Sequence, residues 1–455
     1  MARAGAARGE IQMTEGSLWK NILLFSIPLV FSQLLQVMFN MADVAVVGKF
    51  ASDTALGSVG STSTLVTLFT GFLIGMGNGV NVRVAQHLGA QHREETSRAV
   101  HTAFLLCLLA GLGIMALCLA LAANMLEMLH TKDDLLPGAV RYFRIYALGM
   151  PALGVFNFGN AVLSANGDTK RPLLYLTIAG ILNVILNLFF VIACRMAADG
   201  VALASVISQY VSAILVVWHM MRLNDACKFR FRELRFHGDE VGRILGLGVP
   251  AGIQHMIFAI ANLFIQAAVN SFDSTMVSGN AAAANTDTII YNIMMAFYTA
   301  CSTFMGQNWG AGHKKRMMDS YLISLFYAFA VAAVLGVAFY FAGRPFLYVF
   351  TNSADVVEAG MQRMKIMCFS YAISAFMDNT IAACRGLGRT IVPTVVVIMG
   401  SCVFRVIWVY TIFAHYHTIP SLYLLYAFSW TITAAAEIVY FLHCFRKLRL
   451  VPETA

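Results

Sequence analysis

The amino-acid sequence predicts an all-α polytopic membrane protein, with twelve transmembrane helices in two six-helix bundles related by a parallel pseudo-two-fold repeat. Hydrophobic residues make up 59% of the 455 residues, charged residues only 12%, and the mean hydropathy is +0.71. That balance lies far from that of a soluble domain. The apolar runs are long enough to cross a bilayer core, which takes about 20 helical residues. Only helices or closed barrels satisfy their backbone groups there. Finally, one residue pattern recurs at a constant offset of 221: Gln33 meets Gln254, Gln86 meets Gln307, Gly89 meets Gly310, Ala90 meets Ala311, and His92 meets His313. Gly167, Thr169 and Pro172 meet Gly388, Thr390 and Pro393 in the same register, and Pro28 and Pro250 lie one residue out of it. Six segments in each half make the repeat parallel, a pattern that points to two bodies working around a shared site.

The segments begin near residues 21, 55, 99, 139, 172 and 200, then near 244, 279, 320, 359, 391 and 421. Segment 1 contains Pro28 and, near its outer end, Asp43; segment 7 contains Pro250 in the place equivalent to Pro28. Each proline removes a backbone bond and is a candidate hinge. Segment 2 is crowded with Gly57, Gly60, Gly71, Gly75, Gly77 and Gly79, which let helices approach closely. Segment 4 holds Pro151, read as a static bend, and Asn157. Segment 5 holds Asn183 and Asn187, four apart and so on one helix face, which a lipid-facing helix would avoid. The charged stretch 222–243 reads as a solvated linker between halves. Segment 8 opens on Gly279 to Ala284 followed by Asn285, Thr286 and Asp287.

Ionisable groups inside spans are costly and therefore candidates for function. Asp43, Asp287, Asp378 and Glu437 are the carboxylates so placed, and Arg405 is the one basic residue mid-helix. Arg405 needs a partner, and Asp378, on the preceding segment, is the nearest candidate for a C-lobe coupling site or ion pair. Glu437, two turns from the basic end of segment 12, is expected to snorkel or to be paired locally. Met256, Tyr291, Met295, Phe376 and Trp408, with Asp287, flank these positions and are expected to line a substrate cavity whose thioether and aromatic walls suit varied apolar cations.

The formal charge of +8 is placed by topology, not by nucleic acid. With the N-terminus inside, inner segments hold 22 of the 31 basic residues against eight in outer segments, so both termini are expected in the cytoplasm. The organisation that follows is a tail 1–20, an N-lobe 21–221, the linker 222–243, a C-lobe 244–445 and a tail 446–455. The first dozen residues carry no apolar run and read as a disordered tail rather than a removable signal. The nine cysteines lack metal-ligand spacing and read as small core residues, so no metal site and no cofactor other than a coupling ion is expected.

Several motifs together resemble the multidrug and toxic compound extrusion (MATE) family of bacterial transporters, over nearly the whole chain. They are Pro28 with Asp43-Val44-Ala45-Val46-Val47-Gly48, Gln86-His87-Leu88-Gly89-Ala90 with its partner Gln307-Asn308-Trp309-Gly310-Ala311-Gly312, and Gly167-Asp168-Thr169-Lys170-Arg171-Pro172. The resemblance implies a V-shaped, rocker-type exporter in the bacterial inner membrane, working as a monomer and swapping H+ or Na+ for small organic, often cationic, compounds. Asp43 matches the family's segment-1 cation-site aspartate, Asn157 and Asn183 look like amides of the DinF-type site, and Asp378 looks like the segment-10 aspartate of the NorM-type branch. Two departures stand out: Asn187 occupies the place of a second DinF-type carboxylate, and Met256-Ile257-Phe258-Ala259 replaces the stretch carrying a NorM-type glutamate. On this reading Asp43 binds the ion while Asn157, Asn183 and Asn187 hold its geometry. Fewer hard oxygens favour a proton. A flippase for lipid-linked precursors would carry more basic residues in its cavity, and a polytopic membrane enzyme would cluster histidines or carboxylates at one face.

Overall fold

The computed structural model describes residues 11–448. The expected tail residues 1–10, with Arg3 and Arg8, and 449–455, with Arg449, lie outside the described residues. All regular structure among the described residues is helical: α1 Leu18–Phe50, α2 Asp53–Gly89, α3 Arg93–Met128, α4 Leu136–Ala147, α5 Met150–Ala165, α6 Lys170–Ala193 and α7 Ala198–Met221. The second half has α8 Gly238–Val269, α9 Ser274–Gly310, α10 Lys314–Leu347, α11 Ala354–Gly386, α12 Ile391–Tyr416 and α13 Ile419–Lys447. Eleven of these are long and apolar enough to span a bilayer, and α4 with α5, bent by 44°, make the twelfth. Pro151 stands in the first turn of α5, where its missing N–H interrupts no helical bond, so the chain turns there. Pro28 and Pro250, by contrast, lie inside the continuous helices α1 and α8.

The sequence repeat recurs in local geometry. Ser52 caps α2 by accepting the Ala55 N–H at 3.1 Å, and Asp273, its counterpart at the same offset, caps α9 by accepting the Met276 N–H at 2.9 Å. Gly167 and Gly388 both take left-handed φ, +91° and +77°, at equivalent helix-to-helix turns. Phe189–Ala193 in α6 and Val409–Phe413 in α12 form π-helical turns in nearly matching places. Phe341 and Val439 are 79% and 68% exposed, as lipid-facing side chains would be.

The chain divides into two compact units within helices rather than at the linker. One comprises Phe31–Met256 with the segment ending at Gln12, and the other comprises Met13–Val30 with Ile257 onward. In the first, Val80, Val84, Phe104, Phe158, Val162 and Val216 form a core between α2, α3, α5 and α7. The stretch expected to be a solvated connector folds onto that core. Cys227 and Phe229 are buried, Phe229 stacks on His101 with ring centroids 5.4 Å apart, and helix α8 already begins at Gly238. Burial of two apolar side chains in a charged loop is what overrides its polar composition. In the second unit, Met294, Phe297, Tyr321, Met367, Tyr371 and Tyr423 hold α9, α10, α11 and α13 together.

The start of α8 is bound to α2 in the first unit. A Cβ on Gly75 would lie 2.3 Å from the Gly252 nitrogen, and one on Gly79 would lie 2.5 Å from the Gly248 nitrogen, so only glycine permits this backbone contact. One helical turn further, Arg83 donates to both Glu240 oxygens at 2.7 Å, and His87 Nε2 lies 3.0 Å from Glu240 Oε1. The equivalent positions in α9 hold the start of α1 in the second unit, by other means. Phe304 meets Phe25 edge-on at 5.5 Å, and Asn308 Nδ2 donates to the Met13 carbonyl at 3.2 Å. Arg316 adds bonds to the carbonyls of Met13, Glu15 and Gly16, so residues 13–16 are anchored and Met13 is buried.

Candidate functional site: a carboxylate among amides in the first unit

Asn183 and Asn187 share the face of α6 that packs on α7, as their four-residue spacing requires, and both are buried. Asp43, from the second half of α1, meets them. Asn187 Nδ2 donates to Asp43 Oδ1 at 2.5 Å and to Asn183 Oδ1 at 3.2 Å. Ser205 of α7 donates from Oγ to Asp43 Oδ2 at 3.3 Å and accepts from Asn183 Nδ2 at 3.3 Å. Every hydrogen-bond partner of the carboxylate is therefore uncharged. Asn187 Oδ1 is sealed from solvent and has no donor. An orphaned amide oxygen beside a carboxylate is an unfilled acceptor set, the kind of group a proton or hard cation completes. The π-helical turn that follows Asn187 opens the α6 ladder next to this cluster.

Asn157 does not join it. Its amide donates to the Leu153 carbonyl of its own helix at 3.0 Å, and it lies against Gly77, because α5 packs on α2 and α3. Ser205 was not singled out by the sequence, since serine is ordinary in a membrane helix. The signal was a spacing: Ser205, Ser208 and Ser212 recur at three and four residues and are all buried, marking one polar stripe on α7.

The second unit carries the other titratable groups. No ion pair joins Asp378 to Arg405 among the described residues; the cations facing Asp378 are Arg385 first and Arg405 second. The Arg405 guanidinium instead lies over the rings of Tyr426 at 4.3 Å, Phe258 at 5.5 Å and Trp430 at 5.7 Å. Asp287, expected at a cavity wall, is held by Arg363, whose Nε donates to Oδ2 at 3.1 Å and whose Nη2 donates to the same oxygen. Arg363 also donates to the Asn280 carbonyl at 3.2 Å and sits 4.7 Å above the Tyr423 ring. Glu437 neither snorkels nor finds a local partner. It is fully buried and neither carboxylate oxygen has a hydrogen-bond partner. Trp408 donates from Nε1 to the Ser421 carbonyl at 2.8 Å and stacks on Phe428, which ties α12 to α13. Phe376 packs edge-on against Phe329, Met295 is half-buried, and Tyr291 is 36% exposed; Met256 belongs to the first unit.

Comparison with known proteins places this geometry. The MatE family model matches residues 28–189 and again 250–411, so Pro28 and Pro250 open its two copies. The chain is 28% identical to a probable multidrug resistance protein, YpnP, of Bacillus subtilis, over 79% of this chain and 80% of that one. It is 23% identical to an FAD transporter of Shewanella oneidensis, over 74% and 75% respectively. In fold it matches, with a TM-score of 0.90 at 20% identity over 97% of this chain and 99% of the other, a MOP superfamily transporter from Pyrococcus furiosus described as having a binding pocket of reverse polarity. A multidrug resistance MATE family transporter in an outward-facing conformation matches with a TM-score of 0.89 at 20% identity over the same shares. Two copies of the family module on a duplicated set of membrane-spanning helices leave one conclusion: the chain belongs to the MATE family of multidrug efflux transporters and is a multi-pass membrane transporter, not an enzyme.

Proposed function

We propose that this protein is a secondary active exporter that exchanges H+ or Na+ for small organic compounds by rocker-type alternating access. The observation that carries the reading is the Asp43 carboxylate, held within a span by Asn187 and Ser205 beside an amide oxygen with no donor. Asp43 binds the ion, Asn183, Asn187 and Ser205 fix its geometry, and ion occupancy biases the access equilibrium because one state binds it more tightly. One carboxylate with neutral oxygens favours a proton over sodium, which prefers a larger set of hard ligands. The protein works as a monomer in the bacterial inner membrane with both termini in the cytoplasm, and bending at Pro28 and Pro250 accompanies exchange.

Fluorescent-substrate efflux from inverted vesicles, driven by an imposed proton gradient and separately by a sodium gradient, tests this. The wild type should respond to the proton gradient, and Asp43→Asn should lose gradient-driven efflux while inserting normally. Efflux retained by that variant removes Asp43 from the mechanism.

A further inference from the structure

Arg405 is 2% exposed, on a helix long and apolar enough to span a bilayer, and it makes no hydrogen bond or ion pair among the described residues. Its Nε is sealed from solvent without an acceptor. A guanidinium presents five N–H donors, and leaving even the Nε donor sealed without an acceptor in a low-dielectric interior is unfavourable. The rings of Tyr426, Phe258 and Trp430 satisfy its faces electrostatically, but a ring face accepts nothing from donors that point out along the guanidinium edge. The acids of the second unit do not meet that need. Asp287 is engaged by Arg363, while Asp378 and Glu437 lie beyond ion-pair distance of Arg405 and are faced first by Arg385.

We propose that Arg405, caged by Tyr426, Trp430 and Phe258, is the charge-reading group of a substrate site in the second unit that takes organic anions with a flat aromatic body. The planar fork matches a carboxylate or phosphate bidentately, in a way a lysine would not. Tyr426 and Trp430 pair edge-on at 5.1 Å and Tyr371 joins Trp430 at 5.3 Å, giving the ligand's ring an aromatic wall beside the guanidinium. Phe258 and Tyr426 are only half-buried, so the cage is not closed over. An organic cation placed there would be repelled by Arg405. The inference rests on the exporter reading but not on which ion drives it.

The test uses the purified full-length protein in neutral detergent without any ion gradient, titrated with fluorescein, a flat aromatic anion, and with ethidium, a flat aromatic cation, by fluorescence anisotropy. Wild type should bind fluorescein more tightly than ethidium. Arg405→Gln should weaken fluorescein by about tenfold or more and leave ethidium unweakened, and Arg405→Lys should fall between. Should Arg405→Gln fail to fold, judged by its thermal unfolding in detergent, Tyr426→Leu supplies a second reading, weakening fluorescein about threefold. Benzoate should displace fluorescein from the wild type. Wild-type preference for ethidium, or unchanged fluorescein binding in a folded Arg405→Gln, overturns the proposal. So does displacement by glycerol 3-phosphate where benzoate fails, which would assign the cage to lipid headgroups. Because no gradient is imposed, a failure of ion coupling leaves this titration untouched, and a failure here leaves the vesicle experiment standing.

Discussion

At position 187 one atom separates an amide from a carboxylate, and the surrounding bonds show what that atom decides. Asn187 donates to Asp43 and keeps its own oxygen free of donors. Asn187→Asp removes the donor and places a second negative oxygen set beside Asp43, which raises the demand for a hard cation. Sodium-gradient-driven efflux should therefore appear or strengthen in that variant, measured against wild type in the same vesicles. Ser205→Ala removes one bond to the carboxylate, worth about 1–2 kcal/mol, and should slow ion-driven efflux several-fold without loss of protein. Asp43, Asn183 and Asn187 were legible because polar groups in apolar spans are rare enough to stand out. The Asp378–Arg405 pairing failed for a physical reason: adjacency in sequence says which helices neighbour each other, whereas side-chain direction is set by rotamer and by rings such as Tyr426, which lie on another helix.

Among the elements, α8 shows how close backbones and a buried ion pair divide the labour of holding one helix to another. Gly75 and Gly79 bring α2 within contact of Gly252 and Gly248, and Arg83 and His87 then close on Glu240 in the first turn of α8. Removing one member of such a pair leaves the other charge buried without compensation. Glu240→Ala should cost about 3–5 kcal/mol and lower the thermal midpoint in detergent, whereas the double substitution Arg83→Met with Glu240→Met should recover most of that loss. Seven helix starts were readable to within three residues because length and apolarity mark spans directly, whereas α3, α8, α9, α10 and α11 begin five or six residues before the expected points, in polar first turns that carry no apolar signal. The bend between α4 and α5, the π-helical turns of α6 and α12, and the folding of Phe229 onto the first unit were not, because each depends on what packs against it.

For the whole molecule, each half of the sequence contributes a segment to the compact unit formed mainly by the other. Residues 13–30 belong with the second unit, and 238–256, the start of α8, belong with the first. Cutting the chain between Arg230 and Phe231 and expressing the pieces apart should therefore give unstable halves, while co-expression should restore a complex that co-purifies by size exclusion. Stable, monodisperse halves expressed alone would contradict the division. The twelve-span plan and the internal duplication were evident in composition and offset, whereas unit membership was not, since it is set by contacts such as Asn308 to Met13 rather than by local pattern.

Those contacts bear on how the ribosome delivers this protein. Met13, just ahead of α1, is made well before its partners Asn308 and Arg316, which follow 295 and 303 residues later. At a synthesis rate of about 5–20 residues per second, the first helix waits on the order of tens of seconds with part of its final neighbourhood missing. During that interval its unclaimed face must be sheltered by lipid or by the insertion machinery, which makes the nascent first helix the stage at which quality control would act.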